Sequence, residues 1–166
     1  MRIFIIGFTS SGKTTFGKKL AKETGFEFID LDHFILDKYH KPIQKIFEEK
    51  GEVFLRQLES KALNELMHKD NVVISTGGGA PCFYDNMQLM NEHGLTIYLE
   101  ASPEFLVSRL KQEIGERPLI RMKTEEQLRI FVNKLLEKRE RYYRMAHLFL
   151  DAINPDLEKV KKYIQQ

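Results

Sequence analysis

Apolar positions along the chain fall into short continuous runs, separated by longer stretches with helical spacing. Ile3-Phe4-Ile5-Ile6, within Arg2 to Gly7, is unbroken and rich in β-branched residues, the pattern of a strand buried on both faces. A helix is expected from about Lys13 to Thr24, closed by Gly25, and a second strand from Phe26 to Asp30. Residues 33–69 read as helical pieces. Pro42 opens one, Gly51 interrupts, and Phe54, Leu55, Leu58, Ala62, Leu63, Leu66 and Met67 make an apolar face. Val72-Val73-Ile74 is a third strand and Leu95 to Leu99 a fourth, after which Pro103 starts a helix. Ile114 to Thr124 has few core-forming residues and several charges, which suits an exposed segment. A long helix is expected from about Glu125 to Arg144 with Leu128, Phe131, Val132 and Leu135 inward. His147 to Leu150 then makes a fifth strand and Leu157 to Ile164 a last helix. Strands alternating with helices predict an α/β fold, a parallel sheet between two helical layers. Nothing marks a domain boundary, so residues 1–166 read as one domain, with about 112–124 as a mobile lid.

Composition narrows the function classes. A chain of 166 residues suits one core, and 42% hydrophobic with 30% charged residues is ordinary for a soluble domain. The net charge of +2 makes no bulk case for nucleic acid or membrane as partner. A single cysteine, Cys82, excludes an internal disulfide. The N-terminal apolar run is too short for a signal or a span, so a cytoplasmic protein is expected. A monomer is the expected state, with no motif behind it.

The chemistry starts at Gly7-Phe8-Thr9-Ser10-Ser11-Gly12-Lys13-Thr14, which matches G-x-x-x-x-G-K-[ST] between a predicted strand and a predicted helix. Glycines let such a loop wrap phosphates, and the helix N-terminus adds partial positive charge. Ser10, Ser11, Gly12, Lys13, Thr14 and Thr15 are therefore the candidate ATP-binding residues. Lys13 would reach the β- and γ-phosphates, and Thr14 would ligate Mg²⁺.

Asp30 and Asp32, two apart at the end of the second strand, would point to one side of an extended segment. One could serve the metal and the other the attacking hydroxyl. The plainer alternative is that Asp32 only caps the next helix. Gly77-Gly78-Gly79 follows the third strand directly and suggests close approach of backbone to a second ligand; a flexible loop is the alternative. A carboxylate on that ligand would want arginine. Arg56, Arg117, Arg121, Arg139, Arg141 and Arg144 are the candidates, and spacing does not choose between Arg139 and its neighbours. Arg117 precedes Pro118 in the lid segment and could act there as an arginine finger. Cys82 and the five histidines show no nucleophile or metal spacing.

Together these motifs resemble the shikimate kinases of the nucleoside-monophosphate-kinase-like group. The markers run in order through nearly the whole chain: Gly7 to Thr14, Phe28 to Asp32, Gly51 to Glu59, Thr76 to Ala80, Arg117-Pro118-Leu119, and Lys138 to Tyr143. The resemblance implies the P-loop NTPase fold, with a five-stranded parallel sheet of order 2-3-1-4-5. It implies transfer of the γ-phosphate of ATP to shikimate, with Mg²⁺. Lys13, Asp32 and Arg117 would be catalytic, with Asp32 on the shikimate hydroxyls. Arg56 and Arg139 would hold the substrate carboxylate, beside Gly77, Gly78 and Gly79. Asp30 would support the metal with Thr14, and Arg109 and Pro155 would flank the adenine. The loop departs from the family pattern at Thr9-Ser10-Ser11, where a glycine is more usual. A gluconate-type kinase is the rival enzyme, and a nucleotide-binding switch the rival of another class. No N-K-x-D motif supports a GTPase.

Overall fold

The computed structural model describes residues 1–113 and 124–166. Five parallel strands form one sheet in the order β2-β3-β1-β4-β5. They are β1 (Arg2–Ile6), β2 (Glu27–Asp30), β3 (Val72–Ser75), β4 (Leu95–Glu100) and β5 (Leu148–Asp151). The helices are α1 (Lys13–Thr24), α2 (Leu31–Tyr39), α3 (Ile43–Leu66), α4 (Asn86–His93), α5 (Pro103–Gln112), α6 (Glu125–Tyr143) and α7 (Leu157–Ile164).

The apolar run of β1 is explained by burial on both faces. Ile3 and Ile5 pack with Phe16 and Leu20 of α1 and Val160 of α7. Phe4 and Ile6 face the other way, into a larger core with Ile35, Leu63, Leu106 and Val132. Alternation sends successive side chains to opposite faces, so only an all-apolar strand satisfies both layers. Because β1 lies between β3 and β4, its carboxyl end opens into the crevice where open α/β sheets bind ligands.

Three expectations are corrected. Asp30 and Asp32 do not share an extended strand end: α2 begins at Leu31, so Asp30 is its N-cap and Asp32 lies in its first turn. Phe131 is 38% exposed rather than inward. Leu128, Val132 and Leu136, at successive four-residue steps, carry the buried stripe of α6, and Phe131 sits off it. Phe54 is likewise exposed, while Leu55, Ala62, Leu63 and Leu66 are buried. Gly51 interrupts α3 as expected, at φ +84°. The short helix α4, and a 3₁₀ turn at Ala80–Cys82, had no clear signal in the pattern.

Candidate active site

A cleft of about 740 Å³ lies at the carboxyl ends of the strands. One end is the loop between β1 and α1. Gly12 is the N-cap of α1 at φ +92°, and Lys13 opens the helix. The Lys13 side chain is 8% exposed, and its Nζ donates to the carbonyls of Gly7 (2.9 Å) and Phe8 (2.7 Å). The ammonium is thus folded over its own loop, at the mouth of a helix N-terminus that favours anions. Thr14 and Thr15 line the cleft beside it. Ser11 is fully buried, its N–H donating to the Phe8 carbonyl, so it braces the loop from behind.

Asp30 splits its carboxylate between two tasks. Oδ1 accepts from the N–H groups of Asp32 (3.0 Å) and His33 (3.3 Å), which caps α2. Oδ2 accepts from the Thr14 hydroxyl at 3.0 Å. These are two hard oxygen donors side by side in the cleft, a set suited to Mg²⁺, which holds one or two protein oxygens and keeps its waters.

The other end of the cleft is built from α2, α3, α6 and the loop after β3. Asp32, Arg56, Glu59, the three glycines and Arg139 line it. Arg56 is 9% exposed. Its Nη1 donates to Glu59 Oε1 at 2.6 Å, and its Nη2 pairs with Glu52 at 3.2 Å. Burial works against the Arg56 charge, but Glu59 and Glu52 outweigh it and raise the guanidinium above its usual range. Burial also lifts the Glu59 carboxyl, with Arg56 pulling it down and Asp32 adding to the lift. The guanidinium of Arg56 lies 4.6 Å from the centre of the Phe83 ring, and that of Arg139 5.6 Å from the Phe8 ring.

The triple glycine makes room for these side chains. A Cβ on Gly77 would stand 3.1 Å from Asp32 Oδ1. One on Gly78 would meet Thr9 Oγ1 at 2.8 Å and Arg139 Nη1 at 2.9 Å, and one on Gly79 would meet Arg56 Nη1 at 2.5 Å. None of the three takes a positive φ, so space rather than backbone freedom selects glycine here.

The arginine register is decided by packing. Arg139 lines the cleft, Arg141 turns to the Tyr142 hydroxyl, and Arg144 pairs with Glu100 and Glu140. Arg109 lines the phosphate-loop end of the cleft near Gly12. Pro155, in the loop between β5 and α7, is not among the residues lining the cleft. Arg117, Arg121 and most of the expected lid lie outside the described residues. Sequence reading assigned no role to Glu59, Tyr143, Ile43 or Phe47, and it placed Leu135 and Phe131 in the core, whereas both line the cleft with Ile43 and Phe47 as an apolar wall. Glu59 had a signal, since a carboxylate three residues after Arg56 reaches it within one helical turn.

The shikimate kinase family model matches residues 9–166. The chain belongs to the shikimate kinase family. It is 46% identical over 151 residues to the shikimate kinase of Parabacteroides distasonis, covering 91% of this chain and 87% of that one. Its structure matches the crystal structure of shikimate kinase from Bacteroides thetaiotaomicron with a TM-score of 0.94 at 38% identity, over 100% of this chain and 99% of the other. It also matches the shikimate kinase from Acinetobacter baumannii in complex with shikimate, with a TM-score of 0.84 at 34% identity, over 99% and 90% of the two chains. The sheet order that the resemblance implies is the one this chain adopts.

Proposed function

We propose that the chain is an ATP-dependent phosphotransferase that moves the γ-phosphate of ATP to the 3-hydroxyl of shikimate, giving ADP and 3-phosphoshikimate. The observation that carries this reading is the division of one cleft. A phosphate loop closes one end, and at the other Arg56 and Arg139 converge on Asp32 and the glycine loop. Two arginines beside a carboxylate suit an anionic alcohol better than a neutral sugar.

Within this reading Lys13 stabilises charge on the transferring group, and Asp32 orients the acceptor hydroxyl and takes its proton. Arg56 and Arg139 hold the carboxylate in a fixed register, so the hydroxyl points toward the loop. Thr14 and Asp30 would hold Mg²⁺, which when bound neutralises charge on the β- and γ-phosphates. Arg109 flanks the base, and Arg117 keeps the role of a phosphate-facing cation that the resemblance implies. The apolar wall of Phe47 and Phe131 suits one face of a carbocyclic ring. A gluconate chain, with a hydroxyl on every carbon but the carboxylate, has no apolar face to offer it. Cytoplasmic location and a monomeric state belong to the same proposal. Among the described residues no helix is long and apolar enough to cross a membrane.

A coupled ADP-release assay with shikimate, gluconate and nucleoside monophosphates tests the reading. Turnover with shikimate alone, with phosphorus NMR placing the ester on the 3-hydroxyl, is expected. Faster turnover with another acceptor would replace it.

A further inference from the structure

Ser10 stands in the middle of the phosphate loop at φ +68°. This is the left-handed region, where a Cβ crowds the following carbonyl and glycine is favoured. Gly7 and Gly12, on either side, also take positive φ, +148° and +92°, but glycine is suited to both. A serine persists in such a conformation only where its surroundings hold it. Here the Ser10 hydroxyl donates to Glu113 Oε2 at 2.6 Å. Glu113 is the C-cap of α5, with its own N–H bonded to the carbonyls of Arg109 and Leu110, so a helix end presents the carboxylate. Glu113 also lines the cleft. A carboxylate there repels a polyphosphate, so its presence needs a compensating role.

We propose that Glu113 is a positioning residue for the phosphate loop: by anchoring the Ser10 hydroxyl it maintains in a serine the backbone conformation that a glycine would reach unaided. This role presupposes that the loop binds ATP, as argued above. Without the anchor, Ser10 relaxes toward negative φ and turns the adjoining peptide planes. Main-chain N–H groups then leave the phosphates. Ser10→Gly removes the steric objection and makes the anchor redundant. Glu113 still repels the polyphosphate in that background. The effect of removing Glu113 should therefore disappear or change sign when Ser10 is glycine.

The test is a double-mutant cycle on the full chain, read by calorimetric titration with Mg²⁺ and ADP. Steady-state KM values for ATP and shikimate are measured alongside, and thermal melts verify folding. Glu113→Ala should weaken ADP about tenfold, the scale of a lost charge-assisted hydrogen bond, and raise the KM for ATP in parallel while that for shikimate stays nearly constant. Ser10→Ala should match it. Glu113→Gln, which retains an acceptor, should do less harm. In the Ser10→Gly background, Glu113→Ala should leave ADP binding unchanged or tighten it. Equal weakening in both backgrounds would make Glu113 a general support of the fold and overturn the anchor. So would tighter binding in both, which marks a merely repelling charge, or no change in the native background. If the native chain itself binds no ADP, the ATP reading falls as well, which separates the two failures.

Discussion

The hydroxyl of Tyr143 donates to the carbonyl of Gly78 at 2.5 Å, so the helix that carries Arg139 also holds the middle of the glycine loop. Tyr143 is fully buried and its ring packs on Tyr98 with centroids 5.1 Å apart. One side chain thus ties α6 to the loop after β3 at the Arg139 end of the cleft. Tyr143→Phe would keep the packing and leave that carbonyl without its partner. We expect a stability loss of about 1–2 kcal/mol in urea unfolding. The KM for shikimate should rise while that for ATP stays level; an equal rise in both would show a general loosening instead.

Glu59 shares its buried position with the guanidinium it orients. Glu59→Ala leaves Arg56 buried with its main counter-charge gone, and the fold should lose about 3 kcal/mol. Glu59→Gln keeps a hydrogen-bond acceptor and should lose less. In both variants the KM for shikimate should exceed that of the native chain, because Arg56 is then free to turn away. An unchanged KM in a folded Glu59→Gln protein would show that Arg56 needs no such partner.

Gly79→Ala places a methyl where the Arg56 guanidinium now lies. Arg56 must shift, so shikimate binding should weaken by about tenfold or more, as for a displaced carboxylate clamp. The backbone at Gly79, φ −90°, accepts alanine without strain, so any fall in melting temperature should come from the displaced Arg56–Glu59 pair and stay below that of Glu59→Ala. Large unfolding with normal substrate affinity in the folded fraction would contradict the packing described.

Lys13→Ala removes the ammonium that now bridges the Gly7 and Phe8 carbonyls. Single-turnover measurements at saturating ATP should show the chemical step slowed by about 10²–10³-fold, the usual scale for one lost electrostatic stabiliser. A loss confined to ATP affinity would place Lys13 in binding alone.

Alkaline pH should weaken the fold. Burial pushes the Cys82 thiol up to about 11, and raises Tyr98 and Tyr143 above the ordinary tyrosine range. In the unfolded chain these groups ionise near about 8.5 and 10. The unfolded state therefore sheds protons first, and stability falls as pH rises from about 8.5 through the folded value of the thiol. Urea midpoints should be level between pH 7 and 8 and drop above 9. Cys82 in the native protein should also alkylate far more slowly than a free thiol at pH 8. Stability that climbs above pH 9 would refute the burial of these groups.

Much of the molecule could be read from spacing, because spacing reports what neighbours on one element share. The Gly7 to Thr14 pattern specified the phosphate loop, since its parts are contiguous and flanked by a strand and a helix. The unbroken apolar run of β1 announced a strand covered on both faces, the shorter runs at β3 and β4 announced further strands, and the alternation of strand and helix announced a parallel sheet. The strand order came from family resemblance rather than periodicity. The tertiary structure alone decided which side chains meet. Asp30 became a helix cap with one oxygen turned to Thr14, because α2 starts two residues earlier than an extended reading of Asp32 allows. Arg139 rather than Arg141 faces the cleft, because the α6 stripe of Leu128, Val132 and Leu136 sets the rotation of that helix. Glu113 meets Ser10 across 103 residues, and no local rule reports such a pairing. Local chain stiffness and hydrophobic period act over a few residues, whereas the two ends of the cleft are assembled by the packing of separate elements against one sheet.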